Sequence, residues 1–128
     1  MIFFCPICWR EIDNNNKRCP QCGADIRKYD RKKFQDKLIN ALGHPEPETV
    51  QRAVWILGRL KSNETVEHLI RLFRRTDNPF LKISILNALE EIGSEEALEF
   101  ITESFNSEIG IVGKSAQDII EKRWKPDE

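Results

Sequence analysis

Residues 50–60 read VQRAVWILGRL, and residues 66–73 read VEHLIRLF. In both stretches the apolar side chains recur at intervals of three and four positions. This spacing places them on one face of an α-helix, and such a face must be buried against another element. The sequence therefore predicts two consecutive amphipathic helices, near residues 47–61 and 64–75.

The same pattern recurs later in the chain. A shift of 31 residues aligns Leu69 with Leu38 and Leu89 with Ile120. Because periods of about 20 to 50 residues are typical of stacked repeats, we predict a helical repeat region. A shift of 32 residues aligns seven pairs, all small or apolar except the serines: Ala53 with Ile85, Leu57 with Leu89, Leu60 with Ile92, Ser62 with Ser94, Val66 with Leu98, Leu69 with Ile101 and Phe73 with Phe105.

Local signals mark where the helices of this region begin. Ser62 and Ser94 are N-cap candidates, because each precedes a turn that contains glutamate and a serine hydroxyl can accept a hydrogen bond from free amides there. Pro79 suits a first helical turn, where its missing N–H is not needed. We therefore expect six helices, near residues 33–43, 47–61, 64–75, 79–92, 95–106 and 109–124.

Residues 50–60 resemble the first helix of short HEAT-like repeats, the type also found in phycobilin lyases. The resemblance rests on an Arg-Ala pair at residues 52–53 and an Ile-Leu-Gly motif at residues 56–58. The next copy reads Ala-Leu-Glu at residues 88–90 and lacks the glycine. The resemblance covers about residues 34–124. It implies a mainly α fold, a short HEAT-like α-solenoid of about six helices, and a role in protein–protein interaction.

The four cysteines of the chain form two Cys-x-x-Cys pairs, Cys5 with Cys8 and Cys19 with Cys22. A two-residue spacer lets both thiolates of a pair bind one ion, and four thiolates complete a tetrahedral site. Residues 9–18, between the pairs, are expected to form two short strands joined by a turn at Asn14-Asn15-Asn16.

Residues 1–28 resemble a short zinc ribbon, and all four ligand positions match. The resemblance implies a small β domain in which Cys5, Cys8, Cys19 and Cys22 bind one structural Zn²⁺. The predicted organisation is therefore a zinc ribbon at residues 1–28 followed by a HEAT-like helical domain at residues 29–128.

Three alternatives concern the use of these cysteines. Disulfides would normally accompany a signal peptide, and the apolar run at residues 1–4 is too short for one. Rubredoxin-like iron sites use similar Cys-Pro-x-Cys turns but separate the two pairs more widely, and a metal assay decides between iron and zinc. Catalytic zinc keeps one position open for water, whereas four cysteines fill all of them. Structural zinc is thus the predicted cofactor.

Charge is distributed unevenly along the 128-residue chain, whose net charge is −1. Residues 1–33 carry eight Lys/Arg and four Asp/Glu, and residues 34–128 carry twelve and seventeen. No apolar stretch approaches the ~20 residues that cross a membrane. Reduced cysteines and the absence of a targeting segment predict a cytoplasmic location.

In HEAT-like stacks the second helix of each repeat faces the inner surface, where partners bind. That resemblance points to four partner-binding residues: His68, Arg71, Arg74 and Arg75. Arg71 aligns with Glu103 at the 32-residue shift, so one interpretation is an ion pair between helices, worth less than about 1 kcal/mol. The other is a docking patch for an acidic segment. The predicted function is a zinc-binding adaptor or scaffold for another, unidentified protein, and an open repeat end also allows self-association.

A nucleic-acid-associated protein is the alternative. Residues 27–33 read RKYDRKK, and with Lys17 and Arg18 they could contact phosphates. Asp30 interrupts that run, and the pI of about 6.2 lies well below the value of about 9 typical of such domains. We predict no enzyme, because neither His44 nor His68 has a nucleophile nearby and no phosphate-binding or metalloprotease motif is present.

Overall fold

A computed structural model describes residues 3–13, 17–27 and 30–124, with Trp124 lacking a described side chain. The predicted turn at Asn14-Asn15-Asn16 and two residues of the basic run, Lys28 and Tyr29, lie outside the described residues. The chain forms two compact units, Met1–Lys37 and Leu38–Glu128. In the described part of the chain, no helix is long and apolar enough to span a membrane.

The first unit contains two short strands that surround a cysteine pair. β1 (Phe3–Phe4) runs antiparallel to β2 (Glu11–Ile12), and an isolated antiparallel bridge joins Arg18 to Asp25. Each pairing encloses one Cys-x-x-Cys pair, which forms the turn between the paired segments. The sequence predicts a hairpin whose two strands both lie within residues 9–18. In the described residues β2 pairs instead with β1, and Arg18 pairs with Asp25, so that hairpin is wrong.

Six α-helices occur in the described residues: α1 (Arg31–Ala41), α2 (Pro47–Leu60), α3 (Val66–Arg75), α4 (Pro79–Ile92), α5 (Glu95–Ser107) and α6 (Gly110–Trp124). A 3₁₀ turn, Asn63–Thr65, leads into α3. All six predicted helices are confirmed, and each predicted end lies within two residues of the observed one.

The helices of the second unit pack in two rows. α2 packs against α4 and α4 against α6, while α3 packs against α5, and α4 contacts both α3 and α5. The predicted apolar stripes meet between the rows, where the largest fully buried side chains include Leu57, Leu69, Ile85, Leu89 and Ile101. The predicted fold class is confirmed: a HEAT-like helical arrangement follows a small β region.

Gly58 allows α2 and α4 to lie unusually close together. A Cβ atom at this position would be 2.8 Å from the Cα of Ala88 and 2.9 Å from its Cβ. Those separations are too short for non-bonded carbon atoms, and the nearest atom belongs to the backbone, which cannot rotate away. The glycine of the repeat motif is therefore a packing requirement at the contact between the two helices.

The residues that follow α2 and α4 have the same backbone conformation although their side chains differ. Lys61 follows α2 with φ 53°, and Gly93 follows α4 with φ 68°. The two residues are 32 positions apart. This left-handed conformation suits glycine, whereas the Cβ atom of any other residue is crowded there. The first repeat therefore carries local strain at Lys61 that the second avoids.

The two predicted serine caps differ. The Ser94 hydroxyl accepts a hydrogen bond from the Ala97 amide at 3.2 Å, which confirms the cap of α5. The predicted Ser62 cap is wrong, because its side chain makes no capping hydrogen bond. The 3₁₀ turn Asn63–Thr65 lies between Ser62 and α3, so the free amides of α3 begin too far along the chain.

Asn78 caps α4. Its Oδ1 accepts hydrogen bonds from the amides of Phe80 at 3.0 Å and Leu81 at 3.4 Å. Pro79 occupies the first turn of α4, as predicted. The Asn-Pro step therefore defines the start of this helix. Asn78 accepts hydrogen bonds from free amides of the first turn, and Pro79 lacks only an N–H that would have no partner within the helix.

Candidate metal centre and partner-binding surface

The four cysteine sulfurs converge on one point. Sγ of Cys5 lies 3.5 Å from Sγ of Cys22, Sγ of Cys8 lies 3.6 Å from Sγ of Cys19, and all four lie within 4.8 Å of one another. These separations are too long for disulfides, which require ~2.05 Å, and the cysteines are free. Four sulfurs ~2.3 Å from one ion in a tetrahedron would be ~3.8 Å apart. The cluster therefore fits a single tetrahedral metal ion.

The two cysteine pairs have the same backbone conformation. The amide of Trp9 donates to the carbonyl of Cys5 at 2.8 Å, and the amide of Gly23 donates to the carbonyl of Cys19 at 2.9 Å. Trp9 and Gly23 also share a left-handed φ, 63° and 77° respectively. This conformation turns the chain back after each pair. Each turn therefore presents both of its thiols to the same point, and the two turns face each other.

Backbone amides also point at the sulfurs and change how readily they ionise. Burial raises the pKa of Cys19, but the amides of Cys22 and Gln21 and the neighbouring thiols outweigh it and lower that pKa to about 6. The Gln21 amide lies 3.4 Å from the Cys19 sulfur. Burial raises the pKa of Cys8 to about 12, with neighbouring thiols adding to the increase. A bound cation would favour the thiolate form of every ligand and displace the remaining protons.

Apolar side chains pack around the thiol cluster. Cys5 and Cys19 are buried together with Ile12 and Ile26, whereas Cys22 is exposed. Four sulfur donors leave no position for water, so the donor set suits a structural ion. Tetrahedral four-sulfur sites hold zinc or iron, and the donor set by itself suits both.

A groove of about 360 Å³ lies between α3 and α5, on the surface that the sequence predicts for partner binding. Ile70 and Phe100 provide apolar surface in it. The α3 side carries two guanidinium groups and one carboxylate, those of Arg71, Arg74 and Glu67. The α5 side carries three carboxylates, those of Glu96, Glu99 and Glu103. The groove is therefore an apolar cleft between a mixed-charge face on α3 and an acidic face on α5.

The predicted ion pair across this groove involves a different arginine. Arg74 lies 3.9 Å from Glu103, while Arg71 pairs with Glu67 on its own helix. The Arg71–Glu103 ion pair inferred from the repeat alignment is therefore replaced by one that starts three residues later on α3. Both side chains of the Arg74–Glu103 pair are about two-thirds exposed, at 63% and 66%, so it contributes less than about 1 kcal/mol.

The structure separates the four predicted partner-binding residues. Arg71 and Arg74 line the α3–α5 groove. Arg75 lines a different groove, beside residues 42–51, and His68 is half-buried and lines neither. Glu67 and Phe100 also line the α3–α5 groove, and the sequence analysis did not select them. The four-residue spacing from Glu67 to Arg71 is a signal that could have found the first.

The basic run after the cysteine cluster is partly neutralised. The Arg27 guanidinium lies 2.6 Å from the Asp25 carboxylate, and its hydrogen bonds hold the pKa of that carboxyl well below its usual range. Asp30 accepts hydrogen bonds from the amides of Lys32 at 3.0 Å and Lys33 at 3.3 Å. Asp30 therefore caps the start of α1, which explains an acidic residue within a basic stretch.

Comparison with known proteins identifies the helical region. Residues 35–117 match the family model for HEAT repeats. The match includes all of α2 to α5 and does not reach the cysteine cluster. No curated protein and no solved structure matches the chain.

Proposed function

Because this chain belongs to the HEAT-repeat family, we propose that it is a cytoplasmic scaffold that binds another protein through its helical unit and carries one structural zinc ion in its N-terminal unit. Stacked helix pairs present extended surfaces on which partners dock. The proposal includes no enzyme activity, since the four cysteines are assigned to the metal. A phycobilin-lyase type of HEAT repeat stays a prediction from the residue 50–60 motif.

The α3–α5 groove is the observation that supports docking of a partner on the helical unit. Phe100 and Ile70 offer apolar surface that a partner can cover, and aromatic and arginine side chains are enriched at protein interfaces. Arg71 and Arg74 face carboxylates that outnumber them. A partner segment that fits this groove therefore carries basic groups toward α5 and acidic groups toward α3.

Site-specific photo-crosslinking tests the docking face. A photoreactive amino acid replaces Glu99 in the groove or, as the matched control, Gln117, which is exposed on α6. We expect a discrete adduct from position 99 that disappears when Arg71→Glu and Arg74→Glu are added. Equal adducts from both positions, or an adduct that survives both charge reversals, would contradict this docking face.

We assign zinc rather than iron, because rubredoxin-like iron sites separate their cysteine pairs more widely than this chain does. Elemental mass spectrometry of the purified protein should find one zinc per chain. Gln21→Ala, a change at an exposed position within the second turn, should retain the zinc, whereas Cys8→Ser should lose it. A red protein that contains iron would show that the metal assignment is wrong while leaving the docking proposal intact.

Nucleic-acid binding is the second candidate, and exposed cations favour it. Eight described lysine and arginine side chains of the first unit are exposed: Arg10, Lys17, Arg18, Arg27, Arg31, Lys32, Lys33 and Lys37. A protein that uses them should be retained on immobilised DNA or RNA, and retention should fall steeply with salt because counterions are released on binding. Retention unchanged by Lys32→Glu with Lys33→Glu would remove this candidate.

A further inference from the structure

A second groove, of about 530 Å³, lies in the helical unit and is separate from the α3–α5 groove. The α1–α2 turn and the α3–α4 turn both contribute to its lining. Four apolar side chains that are at least nine-tenths buried form its base: Leu42, Val50, Leu72 and Leu81. The exposed Pro45 and Pro47 form one wall. The volume lies within the ~300–1,000 Å³ of typical ligand sites.

The charge at this groove differs from that of the α3–α5 groove. No aspartate or glutamate is among its lining residues, and the titratable side chains there are those of Arg75 and His44. An apolar base with an arginine and no carboxylate among its lining residues attracts carboxylates and repels basic groups. The lining therefore selects a ligand that combines an apolar group with negative charge.

Arg75 is available to bind such a ligand. Arg71 pairs with Glu67 and Arg74 with Glu103. Within the described part of the chain, Arg75 makes no hydrogen bond or ion pair, although it is exposed beside these neighbours. A guanidinium can bind both oxygens of a carboxylate through two parallel hydrogen bonds. Among the arginines of α3, Arg75 is thus the one whose guanidinium has no carboxylate partner in the described residues.

The other side of the rim is held in place by its own hydrogen bonds. His44 Nδ1 accepts a hydrogen bond from the Glu46 amide at 3.0 Å, so the neutral imidazole carries its proton on Nε2 and can donate it. The Gly43 amide donates to the Asn40 carbonyl at 3.2 Å, and the His44 amide donates to the Ala41 carbonyl at 3.1 Å. A wall ordered in this way loses little conformational entropy when a ligand binds.

We propose that this groove binds a short segment of another protein in which a leucine-sized apolar side chain lies between carboxylates. The apolar side chain packs over Leu72 and Leu81 against the prolines, and Arg75 binds a flanking carboxylate. The site shares with the proposed function only the premise that the chain binds proteins. It does not use Arg71, Arg74 or the α5 carboxylates.

Fluorescence anisotropy of the full metal-loaded chain with labelled peptides tests the proposal. The probe is the nonapeptide Gly-Ser-Glu-Glu-Leu-Glu-Glu-Ser-Gly, and the matched peptides replace its leucine by serine or all its glutamates by glutamine. We expect saturable binding of the probe and affinities at least about tenfold weaker for both matched peptides. Arg75→Gln should weaken the probe by about tenfold, and Lys114→Gln, a matched loss of charge at an exposed position on α6 that lines neither groove, should leave its affinity unchanged.

Three results would overturn the assignment. The first is no saturable binding of the probe at ~1 mM. The second is binding that survives Arg75→Gln and is lost in Arg71→Gln, which would move the acidic segment to the α3–α5 groove and support the docking face. The third is a concentration-dependent dimer abolished by Arg75→Gln, which would assign the groove to a second copy of the chain. Because Arg75 is exposed, thermal unfolding of Arg75→Gln should match the parent and exclude misfolding as the cause.

Discussion

Replacing Gly58 by alanine tests how closely α2 and α4 pack. The new methyl group would lie 2.8 Å from the Ala88 Cα and 2.9 Å from its Cβ. Because α2 and α4 are both continuous helices at this point, they must move apart rather than adjust one side chain. That movement loosens the contact of every buried residue between them.

The expected loss of stability is the difference between two effects. Overpacking of this kind reduces the free energy of unfolding by ~1–3 kcal/mol, and a backbone obstacle places Gly58→Ala in the upper half of that range. Alanine is favoured over glycine within a helix by ~1 kcal/mol. The net destabilisation is therefore ~1–2 kcal/mol, which lowers the melting temperature of a unit of this size by ~4–16 °C.

Thermal and urea unfolding followed by circular dichroism measure this change. Gly43→Ala is the matched control, because its Cβ would meet only the Asn40 carbonyl at an ordinary 3.7 Å. That control should unfold at or slightly above the parent temperature. Adding Ala88→Gly to Gly58→Ala removes the 2.9 Å contact with the Ala88 Cβ but leaves the 2.8 Å contact with its Cα. The double variant should therefore regain part of the lost stability. If Gly58→Ala were as stable as Gly43→Ala, the close approach of the two helices would be refuted.

Substitutions at the cysteine cluster, at two helix N-caps and at two helix ends give three further predictions. Cys19→Ser should remove the bound metal, measured by elemental mass spectrometry, while the helical circular dichroism of the second unit persists; collapse of that signal would show that the helices depend on the metal. Asn78→Ala should lower the free energy of unfolding by ~1 kcal/mol, whereas Ser62→Ala, at a site without a side-chain cap, should change it little; equal effects in urea titrations would contradict the assigned caps. Lys61→Gly should raise stability by up to ~1 kcal/mol and Gly93→Ala should lower it by a similar amount, so two shifts of the same sign would argue against the shared left-handed conformation.

The sequence identified the cysteine cluster because its members are close together in the chain. Each Cys-x-x-Cys pair constrains its own turn, and two such turns suffice to gather four sulfurs. The strands were misplaced because their pairing depends on which segments the turns bring together. Trp9 shows the same limit: its left-handed φ of 63° matches that of Gly23, yet a tryptophan gives no sequence signal for that conformation.

The helical repeat was equally predictable, since apolar spacing within a helix and the 32-residue period are both properties of the chain read in order. Equivalent positions nevertheless differ in their surroundings. Phe73 is 4% exposed and packs edge-to-face on Phe100 with ring centres 5.0 Å apart. Phe105, its counterpart one repeat later, is 42% exposed. A period identifies which face of a helix is apolar, but the neighbouring helix decides how much of that face is covered.

The chain sequence by itself determined the four thiols, the six helices and the apolar stripe of each, because these follow from interactions among residues at most a few positions apart. Tertiary structure alone decided the surroundings of Arg74 and Arg75 on α3, whereas the pairing of Arg71 with Glu67 follows from their four-residue spacing. Arg71 pairs within its helix, Arg74 reaches α5, and Arg75 borders a groove without acidic groups. These three side chains are nearly equivalent in sequence. Arg74 and Arg75 differ because they lie at different angles around α3, and only the packing of α4 and α5 places an acidic or apolar neighbour at each angle.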